Sequence, residues 1–402
     1  MAQLAQPATR PAADVQRKLR GAADDQLAQV VALVDAMPAR GAADALIAPL
    51  RARLAAIDPV RPLSITRLLF RPLDSVITTG PRWRPGAPAV PRTALSSIGD
   101  AVIARLGPLA TLIQASIAGR NGKQHAVVNQ AGAKLWPPAT AMLAQMPIPA
   151  DWGLTTGLPE GCYPEIRANI AAVLYQAVPL SQRARDVGGG DSAPAINAIL
   201  NATQAHHPAG LGIVLAVLLA EGVTAAPVLL AALAIPGAQV DLAVEHTLDR
   251  AQHALTAVLP SVGLAAASFQ AAHVAALLDA IEGPSVRPAL RAQAQRTRQL
   301  ADEACRSRLL QALDQEFLPK LAATVAELDD EAVTGLESVA RGLRRLAMAG
   351  RRFGATAPYD KLLGCTAASA CVSVNSTLTR MERLRLAELL VGSDAALKLP
   401  AV

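Results

Sequence analysis

Residues 210–240 read GLGIVLAVLLAEGVTAAPVLLAALAIPGAQV, and their only polar side chains are Glu221, Thr224 and Gln239. How this stretch is read decides the fold. A membrane-spanning helix needs about 20 mostly apolar residues in succession. Here Glu221-Gly222 and Pro227 interrupt the run, and the pieces 210–220 and 223–235 hold 11 and 13 residues. Neither is long enough to span, and a carboxylate at the centre of a span costs about 2.5–3.5 kcal/mol on insertion scales. Lengths of about 10–14 residues are those of buried core helices. The expectation is therefore two central helices covered on all sides, with a membrane-embedded hairpin over 209–240 as the rival reading.

The rest of the chain extends the helical reading. It has 402 residues, of which 2% are aromatic and 17% charged. Alanine and leucine, the best helix formers, dominate, while the aromatic residues that favour strands are scarce. The expected fold is all-α, an irregular multi-helix array with HEAT-like or bundle-like stacking and no β-sheet. No repeat of fixed period recurs, which argues against a consensus TPR or ankyrin array. Small side chains in such a core let helices approach closely.

Apolar periodicity and breakers place the elements. Residues 1–21 read as a mobile basic arm and 22–187 as a basic helical domain. DVGGGD at 186–191 is the clearest hinge, and 192–402 forms a second helical domain. In the first domain helices are expected at 94–105, 108–118, 137–146 and 164–177. In the second, apolar helices over 208–235 precede longer, charged ones between 288 and 391. The least generic segment is 59–92, PVRPLSITRLLFRPLDSVITTGPRWRPGAPAVPR, with six arginines, seven prolines and one acid, Asp74. Ser64 can cap a short helix that Pro72 should interrupt, and the run after Gly80 should be an extended strap.

The net charge is +6, but it is uneven. Residues 1–187 carry 20 Lys+Arg against 12 Asp+Glu, a net of +8, and residues 188–402 carry 18 against 20, a net of −2. Basicity therefore belongs to the first half and can attract an anionic partner. The four cysteines, Cys162, Cys365, Cys371 and Cys305, form no CxxC pair. So few in so long a chain favour a reducing cytoplasm over a disulfide framework, with membrane association as the alternative. The N-terminus has no apolar run of signal-peptide length.

Catalytic signatures are missing: no GxSxG elbow, HExxH, P-loop or strand-linked GxGxxG occurs. No catalytic, cofactor-binding or metal-ligating residue is assigned, and no cofactor is expected. Glu245, Asp249 and His253 share a helical face, the best candidate for dispersed chemistry, but a solvated polar face is the favoured reading. Two groups of residues remain as recognition elements. Arg82, Trp83 and Arg84 place an indole between two cations on the strap, a candidate interaction site. Arg341, Arg344 and Arg345 share a helix face in RGLRRLAMAGRR, a candidate anion-binding site. Scarce aromatics disfavour stacking on single-stranded nucleic acid. The reading is a non-catalytic helical scaffold or binding protein with a protein partner. Nucleic-acid association, a membrane hairpin at 209–240 and a helical enzyme are the alternatives.

Overall fold

The computed structural model describes residues 30–31, 62–78, 83–121, 124–183, 193–220, 225–235, 239–282, 287–322, 330–372 and 378–399. The fold is an all-α multi-helix array. Among the described residues its one departure is a parallel pair, β1 (Ile77–Thr78) and β2 (Val90–Pro91), in register Ile77↔Val90. The expectation of no sheet is corrected to this extent. The strap expected to be extended instead turns at Pro85-Gly86 and bends at 88–89, and its end lies beside residues 76–78, where the Val90 amide donates to Val76 O at 3.0 Å. Contacts divide the chain into two units, Met1–Thr247 and Leu248–Val402. The expected arm at 1–21 and the expected hinge at 186–191 lie outside the described residues.

In the N-terminal unit the helices are α1 (Ile65–Phe70), α2 (Arg92–Leu106), α3 (Pro108–Ile117), α4 (His125–Ala144), α5 (Trp152–Thr156) and α6 (Tyr163–Tyr175). They continue as α7 (Ala177–Arg183), α8 (Ala193–His206), α9 (Leu211–Leu219), α10 (Ala225–Leu233) and α11 (Val240–His253), within which the division falls. Ser64 caps α1 by accepting from the Arg67 amide at 3.2 Å. Pro72 then ends the helix, and Arg71–Leu73 closes as a 3₁₀ turn. Proline has no amide hydrogen, so the Leu68 carbonyl loses the donor that a continuing helix would supply. Trp136 of α4 replaces it, its indole Nε1 donating to Leu68 O at 3.0 Å.

α4 itself corrects the expected helix at 137–146. It starts at His125 and runs through Pro137-Pro138. The carbonyls these prolines leave without donors belong to Ala133 and Lys134, both exposed, so water can serve them. The other two tryptophans also donate to backbone carbonyls. Trp83 donates to Ala89 O at 3.1 Å and Trp152 to Pro159 O at 3.3 Å. Trp152 also meets Tyr163 edge-on with centroids 5.1 Å apart, and the Tyr163 hydroxyl donates to Met146 O and Pro147 O at 3.1 and 3.0 Å.

The decisive stretch divides into two helices with different fates. Every residue of α9 is buried, among α6, α8 and α10. Burying each of its large aliphatic side chains contributes about 1.5–3 kcal/mol. Its approach to α6 depends on glycine: a Cβ on Gly210 would stand 2.2 Å from the Ala172 Cβ. α10 is not covered on all sides as expected. Leu230 is 66% exposed, and Leu233 also faces outward. An apolar helix at the edge of a bundle has one face left over once α8 and α9 take the other.

Where α6 and α8 end, the Tyr175 ring lies 4.9 Å from the His207 ring and 5.5 Å from His206, centroid to centroid. Burial first, and the neighbouring His206 second, hold the His207 imidazole below its ordinary value of about 6.5. The unfolded chain therefore takes up this proton more readily. Stability is complete above the unfolded pKa and is lost as pH falls through the lower folded one. Thermal melts should show a melting temperature that declines below about pH 6.5. The decline should be shallower in His207→Asn, and identical pH profiles would contradict this assignment.

In the C-terminal unit α12 (Leu264–Ile281), α13 (Pro288–Ala312) and α15 (Asp330–Gly350) pack against one another, with α14 (Leu318–Ala322) following a wide π turn at Leu313–Phe317. α17 (Arg380–Val391) lies against α15, α16 (Ala357–Val372) against α17, and α18 (Ser393–Ala396) follows. α12 is the one described helix long and apolar enough to cross a bilayer by length and composition, and 50% of it is buried. Its packing is that of a core helix.

Polar contacts pin this unit together. Arg308, only 5% exposed, donates from Nε and Nη2 to Val262 O at 3.2 and 2.9 Å and from Nη2 to Glu316 Oε1 at 2.7 Å. Arg298 grips both Glu282 oxygens at 2.7 and 2.9 Å, reaches Asp279 at 2.8 Å and donates to the Arg352 carbonyl. Arg352 closes the network on the other Asp279 oxygen at 2.6 Å. Burial raises the Asp279 pKa, but hydrogen bonds from Arg298 and Arg352 outweigh it and hold the carboxyl below its ordinary value. The Tyr359 hydroxyl bonds to Asp302 Oδ1 at 2.8 Å, and its ring lies against Gly350, where a Cβ would come within 2.5 Å.

Candidate functional site

The strap does not offer its indole to a partner. Arg82 lies outside the described residues. Trp83 is 7% exposed and bonded to Ala89 O within its own segment. The local reason is a turn at Arg84–Ala87, closed by the Ala87 amide on Arg84 O at 3.1 Å, with Pro85 in its second place and Gly86 at φ 82° in its third. Only a residue tolerant of positive φ fits there. This turn faces outward with Arg84 and is held by the Gly86 amide on Glu165 Oε1 at 2.7 Å, while Trp83 turns in. Among the described residues of this candidate, Arg84 is the exposed cation.

The second candidate gains a member. Arg341 and Arg345 lie four apart on the outer face of α15, and Arg341 binds Glu337 at 2.5 Å, one turn before it. Glu337 also binds Arg385 of α17 at 2.5 Å. The Glu337 side chain is 14% exposed, whereas Arg341 and Arg385 are 41% and 62% exposed. The acid lies beneath and the guanidinium groups above it. Farther along, Arg344 Nη1 reaches Glu388 O at 3.4 Å, at the C-terminal turn of α17 where the helix dipole favours a cation. Gly392 makes room for this contact: it has φ 91°, and a Cβ there would stand 2.9 Å from Arg344 Nη2. Arg345 is exposed and makes no hydrogen bond or ion pair among the described residues.

The pairs Glu337–Arg385 and Arg344–Glu388 advance in the same direction along both helices, so α15 and α17 run parallel, with α16 returning between them in sequence. α17 is fixed at its start by a capping box, Thr379 accepting from the Glu382 amide at 3.3 Å and Glu382 Oε2 accepting from the Thr379 amide at 2.7 Å. The shared face carries four arginines, Arg341, Arg344, Arg345 and Arg385, against Glu337 and Glu388, a difference of two positive charges. Exposed methionines flank them: Met348 lies three residues past Arg345, and Met381 four before Arg385. Leu384 is exposed beside them. Arg351 and Arg352, from the same sequence run, are held in structural pairs with Asp360 at 2.5 Å and Asp279 at 2.6 Å.

The described residues offer little reactive chemistry. Asp249, of the polar face at 245–253, accepts from Gln293 Nε2 at 3.2 Å, and no three His, Cys, Asp or Glu side chains gather as a metal-binding group among the described residues. Burial, reinforced by Asp302, pushes the Cys305 thiol up to about 12, which keeps it protonated and unreactive. Burial likewise raises Cys371. Comparisons with protein-family models, curated proteins and solved structures find no match to this chain.

Proposed function

We propose that this chain is a non-catalytic helical binding protein, a scaffold or adaptor, that recognises an anionic partner through the face shared by α15 and α17. The observation that carries this reading is the layering of charge, with Glu337 beneath and Arg341 and Arg385 above it. A carboxylate placed below two guanidinium groups orients them without cancelling their outward field. Each arginine has five N–H donors. Arg341 makes its Glu337 bond with Nη2 and Arg385 with Nε, and both side chains remain exposed.

Binding of the full-length chain to fluorescent polyglutamate tests the reading by anisotropy. Affinity should fall as salt rises, because exposed charges are screened. Arg345→Glu combined with Arg385→Ala should weaken it by at least about tenfold, equivalent to about 1.4 kcal/mol. Lys361→Glu, the same charge reversal as Arg345→Glu at an exposed position of α16, should leave it unchanged. An affinity untouched by the double variant would remove the reading.

A further inference from the structure

The α15–α17 face carries more than charge. On α15, Arg341, Arg345 and Met348 stand at i, i+4 and i+7, a single stripe pointing away from the buried stripe of Leu336, Ala340, Leu343 and Ala347. On α17, Met381, Leu384, Arg385 and Glu388 form the corresponding outer stripe, opposite buried Leu386, Ala387 and Leu390. The Glu337 bridge joins the two stripes, so the face reads apolar at Met381 and Leu384, cationic through Arg385, Arg341 and Arg345, and apolar again at Met348.

Resting on the binding reading above, we infer that this face takes an acidic amphipathic helix. The helix would place its carboxylates on Arg341, Arg345 and Arg385 and its apolar stripe on Met348, Met381 and Leu384. Two features select this occupant over a nucleic acid. Phosphates would gain nothing from exposed methionine and leucine, whereas flexible methionines adapt to an apolar helix face. Glu388, exposed on the same stripe, opposes a uniformly anionic rod but can sit beside the apolar part of an amphipathic helix. The shared Glu337 also holds two guanidinium groups in fixed positions, and their planar donors can take carboxylates, as they can phosphates, in bidentate pairs. Preorganisation of this kind lowers the ordering cost of binding.

The test titrates the full-length chain into labelled synthetic peptides of about five helical turns, roughly 18 residues. One peptide has leucines at i, i+3, i+4 and i+7 flanked by glutamates. The other has the same composition scrambled so that no apolar stripe forms. A duplex DNA and vesicles of anionic phospholipid are the further arms, and sedimentation of the chain alone covers self-association.

The ordered peptide should bind at least about tenfold tighter than the scrambled one, a difference of about 1.4 kcal/mol. Arg345→Glu and Met381→Ser, both at exposed positions, should each remove most of that preference, with circular dichroism confirming that both variants fold. Equal binding of both peptides, lost in Arg345→Glu, overturns the helix as occupant but keeps an anion-binding face. Stronger binding to DNA or vesicles, or a dimer that Arg345→Glu dissociates, overturns the inference in favour of that occupant. Binding that neither variant changes overturns the inference and the functional reading together.

Discussion

Replacing Trp136 with alanine is expected to lower the stability of the N-terminal unit by about 3–5 kcal/mol, the range for removing a large buried aromatic. Trp136→Phe separates packing from hydrogen bonding. It keeps an aromatic ring between α1 and α4 but leaves the Leu68 carbonyl without its donor at 3.0 Å, a loss of about 1–3 kcal/mol for a buried unsatisfied group. The origin of that dependence is Pro72, so the two positions should be coupled. In a Pro72→Ala background, residue 72 regains an amide that can serve Leu68 O, and Trp136→Phe should become cheaper by about 1 kcal/mol. Urea unfolding of the four proteins completes the cycle. Additive losses would mean that the indole does not replace the missing amide.

Arg308 governs the second large effect. Its guanidinium serves the Val262 carbonyl twice and Glu316 once while 5% exposed. Arg308→Ala removes these bonds and leaves Glu316 without its partner. Breaking a buried pair costs about 3–5 kcal/mol, and the lower end applies because Glu316 is 37% exposed and can rehydrate. Arg308→Lys should recover less than half of the loss, because one ammonium cannot reproduce the planar fork. Arg308→Met with Glu316→Leu removes the unpaired carboxylate but leaves the buried Val262 carbonyl without a donor, so it should recover less than lysine, which keeps a donor for that carbonyl. Thermal unfolding ranks the variants, and the apolar pair outperforming lysine would contradict this assignment.

Most of the fold was legible because periodicity and breakers act locally. Ser64, Pro72, Gly107 and Gly392 end or begin helices where their backbone chemistry requires it. The helix through Pro137-Pro138 was not legible, because its survival depends on Ala133 and Lys134 facing solvent, which the tertiary packing sets. Trp83 was misplaced for a related reason. RPG signals the turn, but whether the residue before it points in or out follows from the Ala89 carbonyl and the helices behind the strap. That Arg341, Arg344 and Arg345 share a helix was legible from their spacing. Arg385 was not, because it joins them only after α16 reverses the chain and α17 returns parallel to α15. A signal did exist in Met381, Leu384 and Arg385, apolar and basic residues sharing a helix face that a simple core helix would not need.

Hydrogen–deuterium exchange on the full-length chain, with and without the acidic amphipathic peptide, tests most directly whether α15 and α17 form the interaction face. Protection should concentrate in 334–348 and 381–392 and vanish in Arg345→Glu, while α9 and the strap at 83–91 remain unchanged. Protection centred on another surface, or binding that leaves both helices unprotected, would contradict it.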